Sequence, residues 1–412
     1  MTIVIETAPR VRAATRAVYT AFILLGFAGA SWASRIPQIR DALGLSPSQL
    51  GFVLLAMAAG SIVSLPLAGQ IVARFGSRRT VTATAALMAI ALAGAAVGYR
   101  FGVAPVCAAL FTLGFAIGAW DVAMNVQGAI VERQLGKAIM PRFHAGFSVG
   151  TVAGALVGAV AVALHLSVTV HLIVAAVIAG AVVMPAVQAF VPDDPTSPPP
   201  VVTPSDPVLA GSSAPVTART GRLRRTLAPW REPRTVLIGV FVLAFAFTEG
   251  TGIDWISVAV IDDYGAPAVV GTLAFATFLS AMTLGRWFGP ALLDRYGRVR
   301  VVRMLAGVSL VGLLLFVFGP VTPVAFAGAL LWGLGASLGF PVGMSAAADD
   351  PAHAAPRVSV VASIGYCAFL GGPPVIGFLG DQVTVQRGLI AVAVLVAVAI
   401  GLAGWVKPPN AE

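Results

Sequence analysis

Two carboxylates stand in the middle of long apolar stretches. Asp121 ends the run Gly118-Ala119-Trp120-Asp121, with Asn125 four residues on. Glu249 lies in Phe247-Thr248-Glu249-Gly250, with Asp254 and Trp255 shortly after. A charged side chain at the centre of a bilayer costs about 2.5–3.5 kcal/mol on insertion scales, so such residues face a cavity or a partner. A carboxyl group shielded from water is cheapest as the neutral acid, and can take up and release a proton as water reaches it or leaves it. The chemistry these residues suggest is proton exchange coupled to the movement of a solute. Asp121 and Glu249 are expected to line a cavity, with at least one carrying the coupling proton. Asp254 is a third candidate, about 7.5 Å beyond Glu249 along a helix. The competing reading is a static carboxylate, hydrogen-bonded or ion-paired, that ties two helices together. Asn125 shares a helical face with Asp121, where it either bonds the solute or orients the carboxylate. His144 opens the next apolar stretch and is either a relay or solute contact or a structural residue. Arg286 reads as a cation snorkelling from within its stretch to the surface.

Aromatic residues supply the second kind of chemistry. Of seven tryptophans, Trp32, Trp120, Trp255 and Trp332 fall in the first, fourth, seventh and tenth apolar stretches. Indole faces stack on planar or sugar-like rings, and the N–H donates to a hydroxyl or carbonyl. Trp120, mid-stretch and beside Asp121, is the strongest candidate for solute stacking. The competing reading for these residues is an aromatic belt at the membrane surface.

The elements that must position these residues follow from composition. The chain has 412 residues, 58% apolar and 10% charged, with a mean hydropathy of +0.92. Soluble domains carry about 25% charged residues. That excludes a cytoplasmic enzyme, a nucleic-acid binder and a disordered chain. The expected fold class is an all-α polytopic membrane protein. A crossing needs about 20 apolar residues, and twelve such stretches occur, at 17–38, 47–72, 80–98, 104–131, 143–166, 168–191, 236–261, 267–292, 301–320, 322–347, 357–380 and 384–406. The stretch 192–235 is polar and rich in proline and serine, and it ends in the basic run Arg219 to Arg234. It reads as a flexible linker lying along the membrane surface. The expected organisation is a six-helix bundle at 1–191, the linker at 192–235 and a second six-helix bundle at 236–412. With the N-terminus cytoplasmic, 21 Lys and Arg fall on the cytoplasmic side and 4 on the other. The positive-inside rule then places both termini and the linker in the cytoplasm, in a multi-pass protein of the inner (cytoplasmic) membrane. Cys107 and Cys367 lie in apolar runs and suggest neither a disulfide nor a metal site. No cofactor is expected.

The halves repeat. An offset of 221 maps Arg74 and Gly76 onto Arg295 and Gly297. It also maps Gly114 and Gly118 onto Gly335 and Gly339, Gly29 onto Gly250, and Gly150 onto Gly371. A six-plus-six repeat in a membrane protein is a signature of secondary transporters, whose solute site lies near the midplane between repeats.

These features resemble the major facilitator superfamily, whose loop motif Gly-x-x-x-Asp-Arg-x-Gly-Arg-Arg follows its second and eighth helices. The first copy here keeps Gly69, Arg74 and Gly76, but Ala73 replaces the aspartate. The second keeps Asp294, Arg295, Gly297 and Arg298, with Pro290 at its first glycine. In the family this aspartate helps to latch the cytoplasmic side, so the resemblance implies that only the copy at Asp294 has the complete latch. It also implies twelve helices in two pseudo-symmetric bundles, with the first helix of each three-helix unit around a central cavity. Within the superfamily, Gly118 to Asp121, Asn125 and Phe143-His144 resemble the branch of the fucose–proton symporter. The drug–proton antiporter branch carries an arginine in helix 4 and a glycine-proline motif in helix 5. Here the fourth stretch lacks arginine, and the fifth has Gly146, Gly150, Gly154 and Gly158 without proline. A glycine-proline run appears instead at Gly371-Gly372-Pro373-Pro374.

The expected function is secondary transport of a small polar molecule, a sugar or related hydroxylated compound, by a monomer in the lipid bilayer. Its coupling ion would be the proton, or another ion such as sodium. Proton-driven efflux of a metabolite or drug is the rival within the class. A non-transporting sensor on the same scaffold is the rival outside it, disfavoured because neither tail nor linker is long enough for a signalling domain. An enzyme is not expected, because no acid, base and nucleophile set is apparent.

Overall fold

The computed structural model describes residues 3–137, 139–193, 228–350 and 353–408. Most of the polar linker, with Arg219, Arg222, Arg224 and Arg225, therefore lies outside the described residues. All described regular structure is helical. The helices are α1 (Ile3–Ala33), α2 (Ile36–Leu43), α3 (Pro47–Phe75), α4 (Ser77–Gly98), α5 (Val103–Leu135), α6 (Met140–Ala163) and α7 (Val168–Ala186) before the linker. After it come α8 (Pro233–Asp262), α9 (Ala268–Tyr296), α10 (Arg298–Phe318), α11 (Thr322–Ala336), α12 (Gly339–Ala347), α13 (Ala354–Gln382), α14 (Val385–Gly388) and α15 (Ile390–Leu402). Twelve segments among them are long and apolar enough to cross a membrane, matching the twelve stretches expected.

The repeat holds at the level of single residues. The bounds of α3 and of α9 differ by 221 at both ends, and so do the starts of α4 and α10. One residue separates each pair, Gly76 in the first half and Gly297 in the second. Their backbone angles are φ 80°, ψ 156° and φ 77°, ψ 155°. Side chains rarely adopt this region, so glycine is needed for the chain to reverse within one residue.

Two compact units emerge, one of residues 1–44 and 56–202, the other of 45–55 and 203–412. The start of α3 joins the second unit through α13. Ser46 Oγ and the Ser48 N–H donate to Asp381 Oδ2 at 3.2 and 3.3 Å, and a side chain at Gly51 would meet the Pro373 carbonyl. Within the first unit, small residues let backbones touch. A Cβ at Gly150 would lie 2.0 Å from the Ile23 carbonyl oxygen, and one at Gly154 would lie 2.4 Å from that of Phe27, so α6 rests directly on α1. Gly60 and Gly114 do the same for α3 and α5. Lipid is as apolar as leucine, so close packing of this kind, rather than burial from water, joins helices in a membrane.

The tenth stretch, expected as one helix over 322–347, is broken. α11 stops at Ala336 and α12 begins at Gly339. Pro341 contributes to the break, although Pro66, Pro290, Pro373 and Pro374 lie inside unbroken helices. In a continuous helix the Ser337 carbonyl would accept from the N–H of residue 341, which proline lacks, and the ring crowds that carbonyl.

Candidate functional site

In the first unit, α5 carries the acidic site. Asp121 is 7% exposed and Asn125 is buried one turn away. The Asn125 amide donates to the Asp121 backbone carbonyl at 2.9 Å and to its carboxylate at 3.2 Å. Asn125 therefore orients Asp121, while its own Oδ1 has no hydrogen-bond partner among the described residues. Behind them, α5 lies against α3. A Cβ at Gly114 would fall 1.9 Å from the Met57 carbonyl oxygen, and one at Gly118 would fall 1.9 Å from Ser64 Oγ. Ser61 Oγ donates to the Gly114 carbonyl at 3.0 Å. The carboxylate thus sits on a helix held without freedom to retreat. His144, on α6, packs edge-on against Phe22 of α1 with ring centroids 5.0 Å apart.

In the second unit, Glu249 of α8 is engaged by a cation. Arg286 Nη2 donates to both of its carboxylate oxygens, at 2.9 and 2.8 Å, and the two side chains are 5% and 14% exposed. Arg286 therefore points into the unit rather than snorkelling outward. Its Nε also donates to the Ser337 carbonyl at 3.4 Å, the group freed by Pro341. Sequence reading missed this connection because two residues 37 positions apart in different stretches show no pairing signal. Asp254 is half-buried and, among the described residues, has no hydrogen-bond or ion-pair partner. Thr251, one turn from Trp255 on α8, buries a hydroxyl that has no partner among the described residues. It was not singled out, since a threonine in an apolar helix carries no signal of its own.

The tryptophans divide cleanly. Trp32, Trp120, Trp255 and Trp332 are all buried, whereas Trp230, Trp287 and Trp405 are exposed. The membrane-belt reading thus fails for the first four. Among the described residues, each of the four indole N–H groups lacks a hydrogen-bond partner. Trp332 makes edge-to-face contacts with Phe278 and Phe316, with centroids at 5.3 and 5.8 Å, so it is packed within its own unit.

The loop motifs are anchored differently in the two halves. After α3, the Ser77 N–H and Oγ donate to Asp193 at 2.5 and 2.6 Å, and Gln127 Nε2 of α5 donates to the same carboxylate at 2.8 Å. Asp193, just beyond α7, thus supplies a carboxylate to the loop copy in which Ala73 replaces the family's aspartate. Nothing in its sequence context marks it. After α9, Arg298 donates to Asp349 at 2.6 Å, and Arg234 reaches the same aspartate at 3.0 Å. Arg74 and Arg295 each lie over the following aromatic ring, at 5.5 and 5.2 Å. Asp294 is exposed and has no partner among the described residues. Near the start of α8, the Arg357 guanidinium bonded to Glu232 at 2.7 Å holds that carboxyl below its ordinary range. Among the described residues no group of three or more His, Cys, Asp or Glu could hold a metal ion.

Comparison with known proteins agrees with this architecture. Residues 18–355 match the family model of the Major Facilitator Superfamily. An uncharacterized MFS-type transporter of Yersinia pestis is 30% identical over 92% of this chain and 92% of its own length. The uncharacterized transporter y4wD of Sinorhizobium fredii is 29% identical, over 95% of this chain and 98% of its own. The membrane protein MosC of Rhizobium meliloti is 28% identical, over 96% and 91%. Among solved structures, a mutant of the nucleoside transporter NupG superposes with a TM-score of 0.75 at 14% identity, covering 96% of this chain and 100% of that one. NupG itself gives 0.70 at 16%, covering 97% and 99%. At these identities the likeness to NupG speaks to the fold.

Proposed function

The chain belongs to the Major Facilitator Superfamily and is a multi-pass membrane transporter, and from that premise we propose that it moves a small, hydroxylated polar solute by alternating access, coupled to protons through Asp121. The observation that carries the reading is the Asp121 carboxylate, buried in the middle of a membrane-crossing helix and oriented by Asn125. An ionised carboxylate in such a place is costly, so its protonated form is favoured while the site is closed to water. Opening to either side hydrates the group and lets the proton exchange.

The substrate class follows from the unpartnered polar atoms. On α5, the Trp120 indole N–H and Asn125 Oδ1 are buried and have no hydrogen-bond partner among the described residues. Buried polar groups are nearly always bonded, so a solute that both accepts and donates hydrogen bonds satisfies them better than an apolar drug. A sugar or a nucleoside has that chemistry, and a ring to stack on Trp120. Glu249 is held by Arg286, and Asp254 is the second unit's remaining candidate. The positive-inside asymmetry supports cytoplasmic termini in the inner membrane.

The test begins with a thermal-shift screen of the purified protein against sugars, nucleosides, amino acids and drugs. The stabilising solute is then followed in proteoliposomes. For one proton per solute, a gradient of one pH unit drives accumulation of up to about tenfold. Asp121→Asn should abolish that accumulation and leave solute exchange intact, because the amide keeps the shape and loses the titration. Full accumulation by Asp121→Asn, in a background where Asp254→Asn is also silent, would refute proton coupling at these sites.

A further inference from the structure

The break in the tenth membrane-crossing segment differs from an ordinary proline kink in what surrounds it. Arg286 donates from Nε to the Ser337 carbonyl at 3.4 Å and from Nη2 to Glu249 at 2.8 and 2.9 Å. One guanidinium therefore bridges the freed carbonyl of the break and a carboxylate on α8. Its planar fork suits this double task, which a lysine ammonium performs poorly. The surroundings are shaped to admit the break. A Cβ at Gly285 would fall 2.3 Å from Ser337 Oγ, one at Gly289 would fall 2.4 Å from Leu338 Cδ1, and one at Gly339 would fall 2.0 Å from the Phe245 ring. Gly285, Arg286 and Gly289 lie together on α9, and Phe245 and Glu249 lie one turn apart on α8.

The first repeat supplies the control. The offset of 221 places Ala28 where Glu249 stands, Leu65 where Arg286 stands and Trp120 where Pro341 stands. There the corresponding helix, α5, runs unbroken from Val103 to Leu135. The proline, the arginine and the glutamate are absent together where the helix is continuous and present together where it is broken. A static tie between α8 and α9 accounts for the arginine and the glutamate occurring together, but not for the proline.

We infer that residues 337–338 form a built joint in the tenth segment, locked by Arg286, and that Glu249 is the positioning residue that holds Arg286 to it. The second unit then carries a jointed helix where the first carries a rigid one. Arg286 sets whether the joint is stiff, and whatever draws Glu249 away from Arg286 loosens it. The inference does not depend on which solute moves or on which ion drives it.

Hydrogen exchange of the full-length protein in nanodiscs, read by mass spectrometry at the amides of 338–343, tests the joint. Arg286→Leu should speed exchange there tenfold or more, with residues 110–130 of α5 unchanged. Pro341→Ala restores the missing N–H, so it should slow exchange at the joint. In that background Arg286→Leu should speed it by less than threefold. Arg286→Lys keeps the charge but not the fork, and should fall between wild type and Arg286→Leu. Equal acceleration by Arg286→Leu with and without Pro341→Ala would overturn the inference, as would acceleration spread evenly over the second unit. Should Arg286→Leu fail to fold, the other two variants decide. A joint unmoved by both Pro341→Ala and Arg286→Lys would show that neither residue governs it.

Discussion

The Glu249–Arg286 pair offers a prediction in which the protein's own repeat provides the design. Arg286→Leu removes the cation and leaves Glu249, whose side chain is 5% exposed, without its ion-pair partner. Removing one member of a buried pair typically costs about 3–5 kcal/mol, because the charge left behind must be neutralised or solvated in place. Replacing both members by apolar residues of fitting shape is often close to neutral. The first repeat shows which residues fit, since Ala28 and Leu65 occupy the equivalent sites. The double variant Glu249→Ala/Arg286→Leu should therefore recover most of the loss, ending within about 1–2 kcal/mol of wild type. The shortfall is the Ser337 carbonyl, which loses its donor; an unsatisfied buried acceptor costs about 1–3 kcal/mol. The assay is equilibrium unfolding in mixed micelles titrated with SDS, followed by tryptophan fluorescence, with Glu249→Ala completing the cycle. A double variant as unstable as Arg286→Leu alone would refute the reasoning. So would a single variant that loses less than about 1 kcal/mol, because the pair would then behave as a solvated one.

Two further outcomes follow from packing and from the loop anchor. Gly114→Ala places a methyl group 1.9 Å from the Met57 carbonyl oxygen, whereas Gly29 has nothing within 4 Å of that position; thermal unfolding should show the first destabilised by about 1–3 kcal/mol and Gly29→Ala stabilised by up to about 1 kcal/mol through helix propensity. Equal stability of the two would contradict the close approach of α3 and α5. Asp193→Asn turns one acceptor of the Ser77 and Gln127 bonds into a donor facing donors, and should cost about 1–3 kcal/mol. The same assay checks it, with Asp294→Asn as the silent control because Asp294 has no partner among the described residues.

Length, spacing and repetition were legible without coordinates. A bilayer imposes one length on every crossing helix, so twelve segments could be counted from hydropathy and were found. The loop motif and the offset of 221 gave the repeat, and Gly76 and Gly297 then share the same backbone angles to within a few degrees. The cost of charge in lipid singled out Asp121, Glu249 and Arg286 from sequence alone. What that cost cannot reveal is which remedy each residue uses. Asp121 is oriented by its helical neighbour Asn125, a contact that the spacing of four already suggested. Glu249 and Arg286 remedy each other across 37 residues, and only the packing of α8 on α9 brings them within 3 Å.

Glycine shows the same division. Gly150 and Gly371 are mates at the repeat offset, yet Gly150 presses on the Ile23 carbonyl while Gly371 has nothing within 4 Å. Pro341 was visible in the sequence, but proline in a membrane helix is tolerated wherever neighbours satisfy the carbonyl it frees. Whether a neighbour does so depends on which side chain the next helix presents there. Sequence patterns report what each residue demands of its surroundings; the partner that meets the demand is set by contacts between helices, and those exist only once the chain has folded.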